Sequence, residues 1–584
     1  MHKKLPAFVV SVAAMLLLGG CGSKDNSRSV DTHDNGKEMT VTVYDDLANY
    51  QGIEKGWFAK IVKDKFNMKL KIIAPNVAGG GSTLFDSRSA AGNLGDIVIT
   101  GSSSGRAKRL AKSGLIVDMK PYAKNAEYLK KYQKAINVVN KEAGKSSGMW
   151  GIPQSVSSQK PTAVGETIEP TVAPYVRWDY YKKAGYPKVK NLNDLLPVLK
   201  KMQDAARKEN PGKKIYALSF FKDWDGDAMQ NALQPMYFNG MKVSGPYTVS
   251  SYDDSTTEPL LKKGGQYYQA LKFFNKANQM GLVDPESSTQ NYDKMFSKYQ
   301  NGQVLFSFWS YLGNNAFNTT KNMNAGKGFK MIDIKDSKIY SFGATPEGDS
   351  TACIYVGSKA KNKSRIVKFI NWLYSPEGAM ANSGGVGGAA GPKGMTWTLK
   401  NNKPVLTAFG KKALLDEGGK TTVPAKWGTG TFMDGVSALN FKTVLLSDKD
   451  PQAGNYPYAY QMWPSVKALS NTTLDKDWSK HMDNVKTSLD YLKKNNKLAV
   501  AAGANYSNPD EDSEVSTIHG QVKSKIVADS WKAIFAKSNS QFNSIYDNMI
   551  KETNGLGMDK VMKYSNDCAK GWAKARKDIV KQYK

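Results

Sequence analysis

The longest apolar run in this 584-residue chain, Ala7 to Leu18, spans twelve residues and stops at Leu18-Gly19-Gly20-Cys21, with no second such run after it. Everything downstream must therefore bury its apolar surface against itself. A spanning helix needs about 20 apolar residues, so a shorter run with Lys3 and Lys4 ahead of it and small residues at its end reads as a removed leader. Cys21 then reads as a lipid attachment point. A thioether-linked diacylglyceryl group, usually joined by an N-acyl chain, anchors more firmly than one chain alone. The alternative is an ordinary secretory leader with a chance cysteine after the cut.

Removing the leader takes only two lysines from a formal net charge of +30, so the mature chain is strongly basic. The composition, 40% hydrophobic and 11% aromatic, suits a large core, and the length allows two to four domains of about 100 to 200 residues. Cys353 and Cys568 are too few for a disulfide scaffold; one bridge is allowed but not predicted. The excess charge is spread as lysine, for example over Lys560, Lys563, Lys570, Lys574, Arg576, Lys577, Lys581 and Lys584. That pattern reads as a solvated face, the sharper alternative being attraction to anionic headgroups or wall polymers. An adhesin is thus one function class, while no nucleic-acid motif occurs and no nucleic-acid partner is expected.

Residues 22–38 are polar and read as a tether. Thr40 to Tyr44 alternates as a strand, Ile53 to Phe66 reads as a helix and Lys69 to Ala74 as a second strand, which is a βαβ opening. A third strand, Asp96 to Thr100, runs through Gly101-Ser102-Ser103-Ser104-Gly105 into a basic helix ending near Gly114. Leu192, Leu195, Leu196, Leu199, Met202 and Ala206 lie at helical spacing behind Asn193, with Pro197 in the first turn. Ile366, Phe369, Ile370 and Leu373 repeat that spacing before Ser375-Pro376-Glu377, which supplies a cap, an N1 proline and an acid for a second helix at a corner. Val527, Trp531, Ile534 and Phe535, then Phe542, Ile545, Tyr546 and Met549, mark two further amphipathic helices.

Gly101 to Gly105 satisfies G-x-S-x-G in the strand–turn–helix setting of a hydrolase elbow. A triad needs a base, and of the histidines left after the leader His33 is in the tether, while His481 and His519 carry no local signature. Serine hydrolase is the enzyme alternative. Gly144-Lys145-Ser146 is not a phosphate loop, because Val139 stands where its first glycine belongs, and Gly385-Val386-Gly387 follows a helix rather than a strand. Asp223-Trp224-Asp225-Gly226-Asp227 has the 1, 3, 5 carboxylates of a calcium loop, but its glycine is early and Gln234 replaces the bidentate glutamate. Neither a zinc site nor any cofactor is expected.

From residue 39 to 584 the chain resembles the lipid-anchored extracellular solute-binding proteins, family 1, of carbohydrate ABC transporters, in particular the long subgroup of Gram-positive bacteria. The most specific stretches are Phe369-Ile370-Asn371-Trp372-Leu373-Tyr374-Ser375-Pro376-Glu377-Gly378 and Gly394-Met395-Thr396-Trp397. Val176-Arg177-Trp178-Asp179-Tyr180-Tyr181-Lys182-Lys183-Ala184-Gly185 is a third. Gly95-Asp96-Ile97, Gly114 to Asp118, Trp150-Gly151-Ile152-Pro153 and Gly302 to Phe306 follow the expected order. Glu209-Asn210-Pro211-Gly212-Lys213-Lys214 departs from the acidic calcium loop of many relatives, so that calcium is not carried over.

The resemblance implies an α/β, two-lobed fold of the type II periplasmic-binding-protein kind with a multi-segment hinge and extra C-terminal helices. The expected division is 1–20 leader and 21–38 tether, then 39–160 and 335–400 in lobe 1, and 161–334 and 401–584 in lobe 2 with the C-terminal helices. It further implies a carbohydrate ligand, ABC permease subunits as partners, a membrane anchor and a monomer. Sugar clefts need aromatic plates and paired polar groups, and in open α/β sheets the binding residues follow the strands' C-terminal ends. Tyr44, Asp45, Asn49, Ser102, Ser103, Arg106 and Gln154 hold such positions. Trp309 matches the place of a stacking tryptophan in related sugar binders, Trp224 with Asp225 is an aromatic and carboxylate pair, and Trp427 is a further aromatic candidate.

Overall fold

The computed structural model describes residues 34, 36–75, 77, 81–103, 105–469 and 471–584. The leader, Cys21 and the tether through residue 33 lie outside the described residues. The strand Met39–Asp45 pairs in parallel with Met68–Ile73 on one side and Ile97–Thr100 on the other. Asp349–Val356 adds antiparallel to Ile97–Thr100, and Ile152–Gln154 adds antiparallel beyond it. Gly52–Ile53 closes the opposite edge, which is why the first helix spans Gly56–Phe66 rather than starting at Ile53. Both faces of this six-stranded sheet are covered. Val41, Val43, Ile97 and Ile99 pack under Trp57 and Phe58, while Tyr44, Val98 and Tyr355 pack against Ala107 and Leu110. A strand covered on both faces has no use for polar alternation, and Ile97–Thr100 is buried throughout.

A second sheet places Val172–Arg177 between Phe306–Trp309 and Phe329–Met331, all antiparallel. Around it the helices Leu195–Glu209, Gln266–Gln279, Ser513–Ile534 and Asn539–Gly555 supply a separate core. The cap of the Leu195 helix region is Asn191 rather than Asn193: its side chain accepts from the Asn193 and Asp194 amides, and the Asp194 carboxylate returns to the Asn191 N–H. The helix corner after Leu373 forms as its sequence predicts. Ser375 Oγ accepts from the Gly378 N–H at 3.0 Å, and Trp372 Nε1 donates to Glu377 at 3.0 Å. Arg177 is likewise structural, forking onto Asp179 at 2.9 and 2.6 Å with its guanidinium 3.9 Å from the Phe317 ring centre.

The chain passes between the two cores between Val156 and Val172, between Ile339 and Ala352, and between Val466 and Leu474. The third passage lies between 466 and 474, whereas the expected boundary is at 400/401. Residues 401–466 belong with the first core: Phe432 stacks on Trp57 at 5.5 Å and its carbonyl accepts from Trp57 Nε1 at 2.8 Å, and Trp463 packs edge-on against Trp397 at 5.6 Å. These contacts come from single aromatics in loops, which carry no periodic signal. Where the passages meet, backbone lies on backbone. Gly343 N–H donates to the Ala501 carbonyl, Gly165 N–H to Phe342 and Gly503 N–H to Pro161, at 2.8, 2.8 and 2.9 Å.

The basic C-terminal run forms a 25-residue helix, Met558–Gln582, solvated on one face and packed by the other. Its Ser565 Oγ accepts from the Tyr247 N–H at 2.8 Å, and Arg576 pairs with Asp254. Cys353 and Cys568 are buried free thiols. Among the described residues no helix is long and apolar enough to cross a membrane.

Candidate functional site

One wall of the site forms where the strands Met39–Asp45 and Ile97–Thr100 end. Asp46, Thr100, Ser103, Arg106 and Thr351 line a recess of about 290 Å³. Arg106 donates to Asp46 at 3.0 Å and to Thr100 Oγ1 at 2.7 Å, the Thr100 hydroxyl donates to the same Asp46 oxygen at 2.5 Å, and the guanidinium sits 4.6 Å over the Phe85 ring. Next to Thr351, the Gln154 amide donates to Thr351 Oγ1 at 3.1 Å and to Asp349 at 3.3 Å. Held this way, fixed donors and acceptors keep spare hydrogen-bonding capacity toward the recess.

The other wall is aromatic. Trp224, 41% exposed, stacks on Tyr292 at 4.8 Å and meets Trp309 edge-on at 6.0 Å; Trp309 stacks with Tyr311 at 6.1 Å, and Phe221 lies edge-on behind Trp224 at 4.8 Å. Trp309 closes its strand at an irregularity where Ser307 Oγ donates to the Trp309 carbonyl at 2.8 Å and accepts its N–H at 3.2 Å. Only 5% of Trp309 is exposed, so it is the base of this wall and Trp224 is its face.

One segment, residues 505–511, contacts elements of both cores. Asn505 donates to the Glu347 carbonyl at 3.1 Å, and the Asp510 carboxylate comes within 2.9 Å of where a Cβ on Gly105 would stand, beside Arg106. Glu511, the next residue, bonds His519 Nδ1 at 2.6 Å, and His519 Nε2 meets Asp227 at 3.1 Å, three residues past Trp224. Neighbouring Cα atoms are about 3.8 Å apart, so this one segment reaches from beside the polar recess to the loop that carries Trp224.

Several expected residues lie elsewhere. Tyr44 and Asp45 are fully buried: the strand runs through Asp45, Tyr44 faces Phe85 under the sheet at 6.0 Å, and Asp45 accepts the Leu47 N–H at 2.8 Å, its carboxyl pushed up by burial. The residue in the recess is Asp46 instead. Ser102 is 1% exposed and donates to the Ser350 carbonyl. Asn49 lines a different cavity with Tyr50, Glu54 and Asn440, and Trp427 another with Ile61, Trp372 and Gln452. Asp225 accepts from Trp531 Nε1 at 2.6 Å and the Gln230 N–H at 2.9 Å and lines a separate cavity with Lys222 and Trp531. Sequence reasoning passed over Asp46, Thr100, Thr351, Tyr292 and Tyr311. The pairs Asp45-Asp46 and Trp309-x-Tyr311 held the signal, since one step along a strand end changes the face presented.

Among the described residues no hydrogen bond joins Ser103 to a histidine. His481 stacks on Tyr186, which packs against the second core, at 3.8 Å, and both nitrogens of His519 are engaged by carboxylates. The Asp227 hydrogen bond, followed by that from Glu511, raises the His519 pKa against the opposing effect of its burial. Asp223, Asp225 and Asp227 point to three different donors, and among the described residues no group of three His, Cys, Asp or Glu is placed to hold a metal ion.

Comparison with known proteins places this arrangement. The family model for bacterial extracellular solute-binding proteins matches residues 52–380, and the chain belongs to that family. No curated protein matches the sequence. Among solved structures, the Streptococcus pneumoniae ABC-transporter substrate-binding protein FusA with kestose superposes with a TM-score of 0.57 at 13% identity, covering 92% of this chain and 100% of FusA. A solute-binding protein associated with an HMO-binding ABC transporter of Bifidobacterium longum infantis gives 0.53 at 16%, covering 93% and 99%. The alginate-binding protein AlgQ2 without calcium gives 0.54 at 15%, covering 93% and 98%. At such identities the likeness is one of fold: two lobes of mixed α/β structure.

Proposed function

We propose that this chain captures an oligosaccharide in the cleft between its lobes and delivers it to the permease of an ABC transporter, working as a monomer tethered to the extracellular face of the membrane through Cys21. The observation that carries the reading is that one chain builds both an exposed aromatic cluster, Trp224, Tyr292, Trp309 and Tyr311, and a fixed polar group, Asp46, Thr100, Arg106 and Gln154, with the segment 505–511 reaching toward each. Pyranose and furanose rings present apolar faces for stacking and hydroxyl rims for paired hydrogen bonds, and such a cleft offers both. The ligands named for the structural neighbours, kestose and alginate among them, support the carbohydrate class. Closure over the guest is a population shift limited by the guest's preference for the closed form, and the permease reads that form. The chain performs no chemistry on its guest.

Thermal denaturation against a panel of fructo-, manno-, galacto- and uronic-acid oligosaccharides tests this. A true guest at 100 times its dissociation constant should add about 2.7 kcal/mol of stability, rising with concentration. A melting temperature that no member of the panel moves, at any concentration, overturns the reading.

A further inference from the structure

The loop Asp223-Trp224-Asp225-Gly226-Asp227 has the carboxylate spacing of a calcium loop but a different use for it. Asp223 accepts the Tyr292 N–H at 2.7 Å, at the start of the helix Tyr292–Gln300. Asp225 accepts from Trp531 Nε1 at 2.6 Å, and Asp227 meets His519 Nε2 at 3.1 Å. Trp531 and His519 both stand on the helix Ser513–Ile534, twelve residues apart, which is about 18 Å along its axis. The three carboxylates therefore diverge and fasten the loop at three separated points. Trp224 sits between the first two, and among the described residues its own Nε1 makes no hydrogen bond; ring contacts and the loop alone orient it.

We propose that Asp223, Asp225 and Asp227, together with Trp531 and His519, are positioning residues that hold the Trp224 ring as a plate facing the cleft, so that the helix Ser513–Ile534 is part of the recognition apparatus. This rests on the reading of Trp224 as a ligand contact. The assignment gives the odd carboxylates a purpose that neither a metal nor burial supplies, since Asp223 and Asp227 reach backbone and imidazole donors at the protein surface while Trp224 stays exposed.

His519 adds a sensitivity. The groups facing it are Glu511 from the preceding segment, Asp227 from the loop and the Tyr247 ring at 5.4 Å; the Glu511 charge also reaches Tyr564 and Cys568 of the C-terminal helix. A doubly protonated ring can donate to both carboxylates, a neutral ring to only one. Above the raised His519 titration one of the two bonds is lost and the mount loosens.

The mount itself is read without a ligand, and its consequence by binding of the oligosaccharide panel. In the full chain labelled with 5-fluorotryptophan, the fluorine NMR signal of Trp224, assigned by Trp224→Phe, should shift as pH rises beyond the ordinary imidazole value of about 6.5, and that titration should vanish in His519→Gln. Asp225→Ala should move the signal at every pH and weaken binding of the panel's guest roughly tenfold, whereas Asp225→Asn, which keeps an acceptor for Trp531 Nε1, should restore the signal. A Trp224 signal that is the same in all four proteins at every pH overturns the mount, even if melting temperatures fall. If the signal responds as expected but Trp224→Ala leaves binding of every panel member unchanged, the mount stands and the reading of Trp224 as a plate fails.

Discussion

Trp224 and Trp309 touch each other yet should answer differently to the same substitution. Trp224 is the exposed face of the wall, so Trp224→Ala should cost about 1–3 kcal/mol of guest binding, the worth of covering one large apolar side chain, with the melting temperature little changed. Trp309 is nearly enclosed beside Phe221 and Phe308, and Trp309→Ala should remove about 3–5 kcal/mol of folding stability as well as affinity. Calorimetric titration paired with denaturant unfolding separates the two, and equal losses of stability would contradict the division. Glu54 offers a residue-scale test of another kind. Buried and bonded only by the Ala438 N–H at 2.5 Å, it has one oxygen without a partner, and burial raises its carboxyl to about 8. The folded state thus holds the proton more tightly than the unfolded one. The stability it supplies is full below its unfolded pKa, about 4.3, and is lost as pH rises through about 8. Glu54→Gln keeps the acceptor and abolishes the titration, so the variant should become the more stable protein between pH 7 and 8, read as the difference in unfolding free energy against pH. Neither this carboxylate nor the Asp45-Asp46 choice was legible in the sequence, because both depend on where a strand stops and which loop covers it.

Elements were legible where a period repeats. The Gly56, Leu195, Lys363 and Ser513 helices and the three parallel strands each carry their own face in their own letters, and local pattern alone places them. What local pattern omits is partnership. Residues 401–466 hold the first lobe together through Phe432, Phe441 and Trp463, isolated aromatics in short turns, and the Met558–Gln582 helix hides its packing side under a coat of lysines. That helix lies against the strand Met241–Gly245 so closely that a Cβ on Gly245 would stand 2.3 Å from the Ser565 carbonyl oxygen. Backbone cannot swing aside as a side chain can, so Gly245→Ala should lift the helix from the strand and cost about 1–3 kcal/mol. Faster amide exchange confined to residues 558–582 and 241–251 would mark the separation; uniform exchange change across the chain would mean a different cause.

At the scale of the whole molecule, the two cores share three passages and one strap, and the first two passages cross on glycine with the segment around Ala501 and Gly503. A Cβ on Gly343 would fall 2.2 Å from the Pro161 oxygen, 2.5 Å from the Ala501 oxygen and 2.6 Å from the Gly503 nitrogen, all main-chain atoms of the other strands at the crossing. Only a residue without a side chain lets these strands exchange their hydrogen bonds at 2.8 and 2.9 Å. A lobe motion pivoting there would change backbone angles at these positions while each core, buried around its own sheet, moves as a body. Gly343→Ala must splay the crossing, and because the cores themselves are untouched the damage should appear in closure more than in folding. Small-angle scattering of the wild-type chain should show a smaller radius of gyration with a guest bound. In Gly343→Ala the guest-free radius should already differ and the guest-induced change should shrink, together with affinity. An unaltered guest-induced contraction in the variant would place the pivot elsewhere, in the passage between Val466 and Leu474 or in the strap from Asn505 to Glu511.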